Sequence, residues 1–417
     1  MDRLPTETIH RIFALLDVAD VKSLRLACKS FSIIGTEYLC PSIVLELGLD
    51  PSHKLRSIVS QPGIAKGVQS VAFYSFPILV SRLAANDCFA QINVGNNGVV
   101  HDLIHGAFVN FEYHYLYFLH ALPQLPKLRF VNLDMLPYVN HLEPGLLVLH
   151  ESLPIVTVAS QPFKMLLRVL FHSGIKLEGL TTNFLDWGFF DSSPDELESL
   201  WKPLTDLKYL RFEFHNRRLV QLIHSDRVVT RCNAILEAGA LRNHLAQLAE
   251  LRTMDINFFF TTITYDIHQM TASWSTGLPL GWVVPHEFTW PYLKTIRLSY
   301  VHTERHEMIN FLSRHKQTLR VLHLSNVTLL STSWLILLAD IRKELRLTEA
   351  HLCGHIWGRY EITEARAGQE QHWPMHQISS ALHDQVNEYL SAGEEDVSGM
   401  GFTSPEAIFN AIELGFH

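Results

Sequence analysis

The chain has 417 residues, enough for one large domain or roughly two to three ordinary ones. Its 47% apolar and 18% charged residues exclude a disordered polymer, and a formal charge of −8 excludes the basic excess of a general nucleic-acid binder. Five scattered cysteines (Cys28, Cys40, Cys88, Cys232 and Cys353) without a CxxC exclude a disulfide framework and a zinc ribbon, and they fit a reducing compartment.

The first predicted helix follows Pro5, which stiffens its approach; Thr6 is placed to cap it and Glu7 puts a negative charge in its first turn. Ile9, Ile12, Phe13 and Leu16 fall at i, i+3, i+4 and i+7, one apolar stripe. Asp17 and Asp20 mark a break and a second start. Val21, Leu24 and Cys28 form a second stripe with Leu26 beside it, and Phe31, Ile34 and Tyr38 form a third. Three helices in under forty residues enclose little interior, so their surplus apolar faces need a cover. Either the rest of the chain or another protein can supply it.

The order Leu4-Pro5, Glu7, an Ile-rich helix, an Asp-containing turn and LRLACKSF resembles the F-box over roughly residues 2–42. The resemblance implies docking on a Skp-type adaptor and, through it, on a cullin. It aligns Leu4, Pro5, Ile9, Ile12, Leu16, Leu24, Leu26, Cys28 and Phe31 with the positions that build the motif and its adaptor-facing surface. Thr8 and Ala27 depart from the family pattern, where an aliphatic residue and Val are usual; both thin the apolar surface without breaking the order.

Beyond Pro41 the pattern changes. Ile43–Leu47 alternates as a strand, and LRSIVSQPGIA reads as a short helix running into a turn at Pro62-Gly63. Apolar residues then recur at i, i+3 and i+5: Val68/Val71/Phe73, Leu128/Val131/Leu133, Leu207/Leu210/Phe212, Leu251/Met254/Ile256, Leu293/Ile296/Leu298, Leu319/Leu322/Leu324 and Leu347/Ala350/Leu352, with a weak copy at Leu177/Leu180. The last two of each triplet have the period of a half-buried strand. Helical stretches lie between them, among them one behind the capping box Ser193-Pro194-Asp195-Glu196, one capped by Thr303 and one capped by Ser333. Strand after helix after strand is the logic of stacked units. The LxxLxL core resembles a degenerate leucine-rich repeat, with irregular spacing and with Asn326 one residue early in LRVLHLSN. An ordinary α/β domain with a parallel sheet is the rival.

Two insertions stand out. Residues 265–291 hold Trp274, Trp282 and Trp290, which either present a client-binding surface or fold back to cap the core. The segment DWGFFD at Asp186–Asp191 poses the same choice. After Tyr360 the triplets stop, and ISSALHDQVNEYL is an amphipathic helix candidate ahead of an acidic run at Glu394–Asp396.

Histidine is abundant, 24 in all, and pairs at i,i+4 occur at His101/His105, His302/His306, His351/His355 and His372/His376. None reads HExxH, and no GxSxG, phosphate-loop or GxGxxG motif occurs. No metal, cofactor or catalytic residue is therefore expected, and Cys28 reads as a structural cysteine. No apolar leader follows the N-terminus, and the longest apolar runs, near Ile256–Thr264 and Trp334–Ala339, are too short for a bilayer. The expectation is an intracellular α/β protein, cytoplasmic or nuclear, with no membrane or nucleic-acid partner. Residues 1–42 would be a three-helix F-box, 43–360 an irregular leucine-rich-repeat-like αβ solenoid, and 361–417 a helical segment and tail. Its expected role is a non-enzymatic receptor that brings an unknown client to a Skp–cullin–F-box ubiquitin ligase. A repeat scaffold without a ligase role and a hydrolase or metalloenzyme using some of the histidines are the rivals.

Overall fold

The computed structural model describes residues 4–46, 51–74, 114–134, 156–185, 189–215, 231, 233–259, 277–359, 370–374 and 380–391. The chain divides into two compact units, Met1–Thr205 and Asp206–His417.

The first unit opens with α1 (Thr6–Ala14), α2 (Val18–Leu24) and α3 (Lys29–Gly35). The start of α1 differs from expectation. Pro5, with its φ fixed near the helical value, takes the capping position, and its carbonyl receives the Thr8 and Ile9 N–H groups, so Thr6 already lies inside the helix. Asp17 does cap α2, accepting from the Asp20 N–H at 2.8 Å. Four parallel strands follow in the order β1 (Ser42–Glu46), β2 (Ser70–Tyr74), β3 (Phe130–Asp134) and β4 (Gly179–Leu185). The weak copy at Leu177/Leu180 is thus a full strand. Helices at Pro51–Val59, 114–121, Val156–Ser173 and Pro194–Trp201 come between or after them. The Pro194–Trp201 helix is capped by Ser193 as the capping box requires, with the Glu196 N–H as donor at 3.3 Å.

In the second unit, β5 (Tyr209–His215), β6 (Thr253–Phe259), β8 (Thr295–Thr303) and β9 (Val321–Leu329) run parallel in that order. The two-residue β7 (Leu278–Pro279) pairs with the far end of β8. Both β10 (Glu349–Cys353) and β11 (His355–Arg359) lie on β9, and β12 (Glu370–Pro374) pairs antiparallel with β11. No strand was expected after Tyr360; β12 carries the polar sequence EQHWP, which has no apolar alternation to announce it. The ISSALHDQVNEYL segment forms a helix, Ser380–Ser391, that buries Val386, Tyr389 and Leu390.

The triplets fall into register. In the second unit Leu210, Met254, Ile296, Leu322 and Ala350 are successive partners, as are Phe212, Ile256, Leu298, Leu324 and Leu352, and all are buried. One backbone clasp is repeated at each step. The Lys208 carbonyl accepts from both Arg252 and Thr253, Arg252 from Lys294 and Thr295, Lys294 from Arg320 and Val321, and Arg320 from Thr348 and Glu349, at 2.7–3.2 Å. Pro41, Gln69 and Arg129 do the same in the first unit.

A second regularity crosses the last three rungs. Tyr300, Asn326 and Gly354 all have left-handed backbone (φ 59°, 52° and 69°) and stand beside one another in the register. In β8 and β9 the left-handed residue breaks the in–out alternation at one shared position, so that Val301 and Val327 turn inward again. The Asn326 Oδ1 accepts the His355 N–H at 2.9 Å. Glu304, not Thr303, takes the capping position of the Arg305–Ser313 helix. Thr303 ends β8 with its side chain inward, donating to Glu307 Oε2 at 2.9 Å.

Candidate docking surfaces

The apolar residues of α1–α3 fall into two sets. Ile9, Phe13, Val21 and Phe31 close a small core, with Leu16, Leu24, Cys28, Ile34, Tyr38 and Leu39 against it. Phe13 meets Phe31 edge-on with ring centroids 5.8 Å apart and stacks on Tyr38 at 5.6 Å. Gly35 permits this, since a Cβ there would press on the Phe13 ring and the Arg25 stem. Arg25 in turn ties the end of α2 to α3, donating to the Ser32 carbonyl and to Thr36 Oγ1, each at 3.1 Å.

The second set points outward. Leu15 and Leu26 are each 88% exposed, Ile33 65% and Leu4 42%. Nine large hydrophobic side chains are exposed among the described residues, and these four lie within residues 4–33. The downstream chain meets the three-helix element elsewhere: Lys127 pairs with Glu37 at 3.2 Å, and Gly67 lies so close to the Glu37 carbonyl that a Cβ would collide with it.

Of the nine positions aligned with an adaptor-facing motif, Leu4, Pro5 and Leu26 are exposed, while Ile12, Leu16, Leu24 and Cys28 are half-buried. Ile9 and Phe31 are corrected to interior residues, because the phase of their helices turns them onto Phe13 and Val21. Leu15 and Ile33 were missed. Both stand one position off the apolar stripe, and that phase error was the available signal.

The second surface is the outward face of the parallel strands in the second unit. Between the two buried residues of each triplet one side chain points out, giving the row Arg211, Asp255, Arg297, His323 and His351, each the register partner of the next. Asp255 Oδ2 lies 3.8 Å from Arg211 and 4.0 Å from Arg297; burial lifts its carboxyl above the usual range against the pull of both cations. At the other end, His323 Nε2 and His351 Nε2 approach one oxygen of Glu349 at 2.8 and 3.3 Å. The two rings meet edge to face with centroids 4.4 Å apart. Desolvation holds His323 below its ordinary value, and the hydrogen bond from His323 holds the Glu349 carboxyl below the usual carboxylate range.

The tryptophan insertion divides. Trp290 is fully buried: its Nε1 donates to the Leu245 carbonyl at 3.3 Å, its ring stacks on His315, and its N–H donates to His315 Nε2 at 3.1 Å. It is therefore corrected from a client-facing residue to a core residue. Trp282 is half-buried in a single helical turn at Leu280–Val283, and Trp274 lies outside the described residues. In the other insertion Phe189 and Phe190 join the core beside Phe163 and Trp201, and Trp187 lies outside the described residues.

The i,i+4 histidine pairs are likewise redistributed. His302 ends in β8 against the Gly277 carbonyl at 2.7 Å, and the turn at Gly354 puts His351 and His355 on different strands. His101, His105 and His376 lie outside the described residues, as does the side chain of His372. The histidines brought together are His323 and His351, which a search at helical spacing cannot find. Their separation of 28 residues equals the distance between the last two triplets, and that was the signal.

Among the described residues no helix is long and apolar enough to cross a membrane. No curated protein matches the chain. Residues 1–36 match the family model of the F-box domain, and α1–α3 close on their own core while Leu4, Leu15, Leu26 and Ile33 remain outside it, so the chain carries an F-box domain at its N-terminus.

Proposed function

We propose that the chain is the substrate-recognition subunit of a Skp–cullin–F-box ubiquitin ligase. The F-box domain implies an adaptor-binding subunit. The observation that carries the reading is the separation of the two apolar sets: the three helices are stable on Phe13, Phe31, Ile9 and Val21, and four further aliphatic side chains are left facing water. In this reading Leu4, Pro5, Leu15, Leu26 and Ile33 are buried by the Skp-type adaptor, which brings a cullin with it.

The region after the F-box then holds the client. The identical register of successive triplets and the repeated carbonyl clasp support a leucine-rich-repeat-like description of it. The outward row from Arg211 to His351 offers a client polar and charged groups on a rigid backing. The chain performs no bond-making step in this scheme. It raises the local concentration of the client near the ligase, which is catalysis by proximity supplied to a partner. Such a role places it in the cytoplasm or nucleus.

The test is reconstitution. Purified full chain and a purified Skp-type adaptor are mixed at micromolar concentration and run over a sizing column. Co-elution as a one-to-one complex is expected, abolished by the double substitution Leu4→Ala, Pro5→Ala. Separate elution of the wild-type proteins sinks the ligase reading, and the scaffold reading then takes its place.

A further inference from the structure

The end of the outward row has a chemistry that client docking does not require. Strand geometry accounts for the gathering. His323 on β9 is the register partner of His351 on β10, so the two side chains leave the sheet side by side; Glu349, two residues before His351, must leave on the same face. The three side chains offer two imidazole nitrogens and one carboxylate oxygen, all within 4.8 Å of one another. They are 23%, 41% and 47% exposed for His323, His351 and Glu349, so an ion can reach them from solvent.

The spacing is also apt. A tetrahedral zinc ion with bonds of about 2.0–2.1 Å holds its ligand atoms about 3.3 Å apart. The Nε2 atoms stand 2.8 and 3.3 Å from Glu349 Oε1, close to that separation, and all three ligand atoms lie within 4.8 Å of one another, a span that side-chain rotation can adjust while the strands stay in place. The nearest fixed cation on the row, Arg297, stands 4.0 Å from Asp255, and its charge also reaches His323 and Glu349, so the Glu349 carboxylate has to offset it for an ion to enter. We propose that His323, Glu349 and His351 form a binding site for one divalent transition-metal ion of the zinc class, its fourth position taken by water. Two imidazoles and a carboxylate with an open position are a donor set that such ions accept. The proposal stands apart from the ligase role, since either can hold without the other.

A residue behind the site sharpens the test. Asn387, on the Ser380–Ser391 helix, accepts the Leu352 N–H through Oδ1 at 3.1 Å, which leaves its Nδ2 facing His351 Nδ1 at 3.4 Å. Metal on Nε2 puts the ring proton on Nδ1, where an amide NH2 is the wrong partner. A carboxylate at that position keeps the bond to Leu352 and accepts the Nδ1 proton. Asn387→Asp is therefore expected to tighten metal binding by about 10-fold or more.

The experiment titrates the full metal-stripped chain with Co2+, follows the visible d–d bands of a tetrahedral complex, and then displaces them with Zn2+. One equivalent is expected for the wild type. His323→Gln and His351→Gln should each weaken binding by at least about 10-fold, Glu349→Gln should weaken it, and His306→Gln should not. Zn2+ should raise the thermal midpoint of the wild type above its own metal-free value but leave that of H351Q at its metal-free value. Absence of a tetrahedral spectrum in the wild type overturns the proposal. So does binding unchanged in H323Q and H351Q, which would place the ion elsewhere among the histidines. Weaker or equal binding in N387D also overturns it, by removing the ion from His351 Nε2.

Discussion

Truncating Leu15 and Leu26 together tests the adaptor surface with the least disturbance to the fold. Each is 88% exposed and neither belongs to the core around Phe13, so the double substitution to Ala should leave the unfolding free energy within about 0.5 kcal/mol of wild type. Full burial of a leucine side chain against a partner is worth about 1.5–3 kcal/mol, of which Ala retains a part. A loss of about 1–2 kcal/mol at each position gives about 2–4 kcal/mol for the pair. At 1.4 kcal/mol per decade, this weakens adaptor binding by about 30- to 700-fold. Isothermal titration of the full chain against a purified Skp-type adaptor reads that ratio, with thermal unfolding of each variant run beside it. A Kd within threefold of wild type would refute the assignment of these leucines to the interface. A loss of binding accompanied by unfolding would refute the claim that they stand outside the core.

Phe13→Ala should act in the opposite manner, destabilising the N-terminal helices by about 3–5 kcal/mol and removing adaptor binding only through unfolding, as circular dichroism and limited proteolysis would show. At Asn326 two variants separate two effects. Asn326→Ala loses a hydrogen bond to the His355 N–H and forces Ala into left-handed backbone, about 2–4 kcal/mol together, whereas Asn326→Gly should recover about 1–2 kcal/mol of that; equal denaturation midpoints for the two would refute the backbone argument. His315 sets an acid limit. Buried and desolvated, with Nδ1 on the Phe311 carbonyl and Nε2 accepting from Trp290, it is held below its ordinary value. The unfolded chain therefore takes up a proton first, and stability present above about pH 6.5 falls as the pH is lowered from there. Denaturation midpoints between neutral and mildly acidic pH should show that slope, reduced in His315→Gln, and a slope unchanged by the substitution would count against His315 as its source.

Where one periodicity governs a segment, the residues alone reveal its partners. The i, i+3, i+5 triplets predict both that Ile296, Leu322 and Ala350 are buried and that they stand side by side, because only one phase of a strand hides all the leucines. Asp17 announces a cap for the same local reason. What was not legible depends on chain distant in sequence. Trp290 looked like a loop aromatic until Leu245 and His315, brought by other rungs, surrounded it. β12 is held by an antiparallel neighbour and not by a pattern of its own. The outward histidines carry no helical spacing; they align only once the strands are stacked, and the tandem spacing of the triplets is the arithmetic that aligns them.

The clasp that joins each rung to the next is made wholly of main-chain atoms, and it closes in the same way on proline, glutamine, lysine and arginine. Such a joint is indifferent to side-chain identity and to the length of the excursion that returns the chain to it. Whole rungs, or the detours between them, can therefore be lengthened, shortened or exchanged while their neighbours keep step. The face that meets solvent is in consequence assembled from separately replaceable tiles, and selection can rewrite one tile without renegotiating the wall behind it.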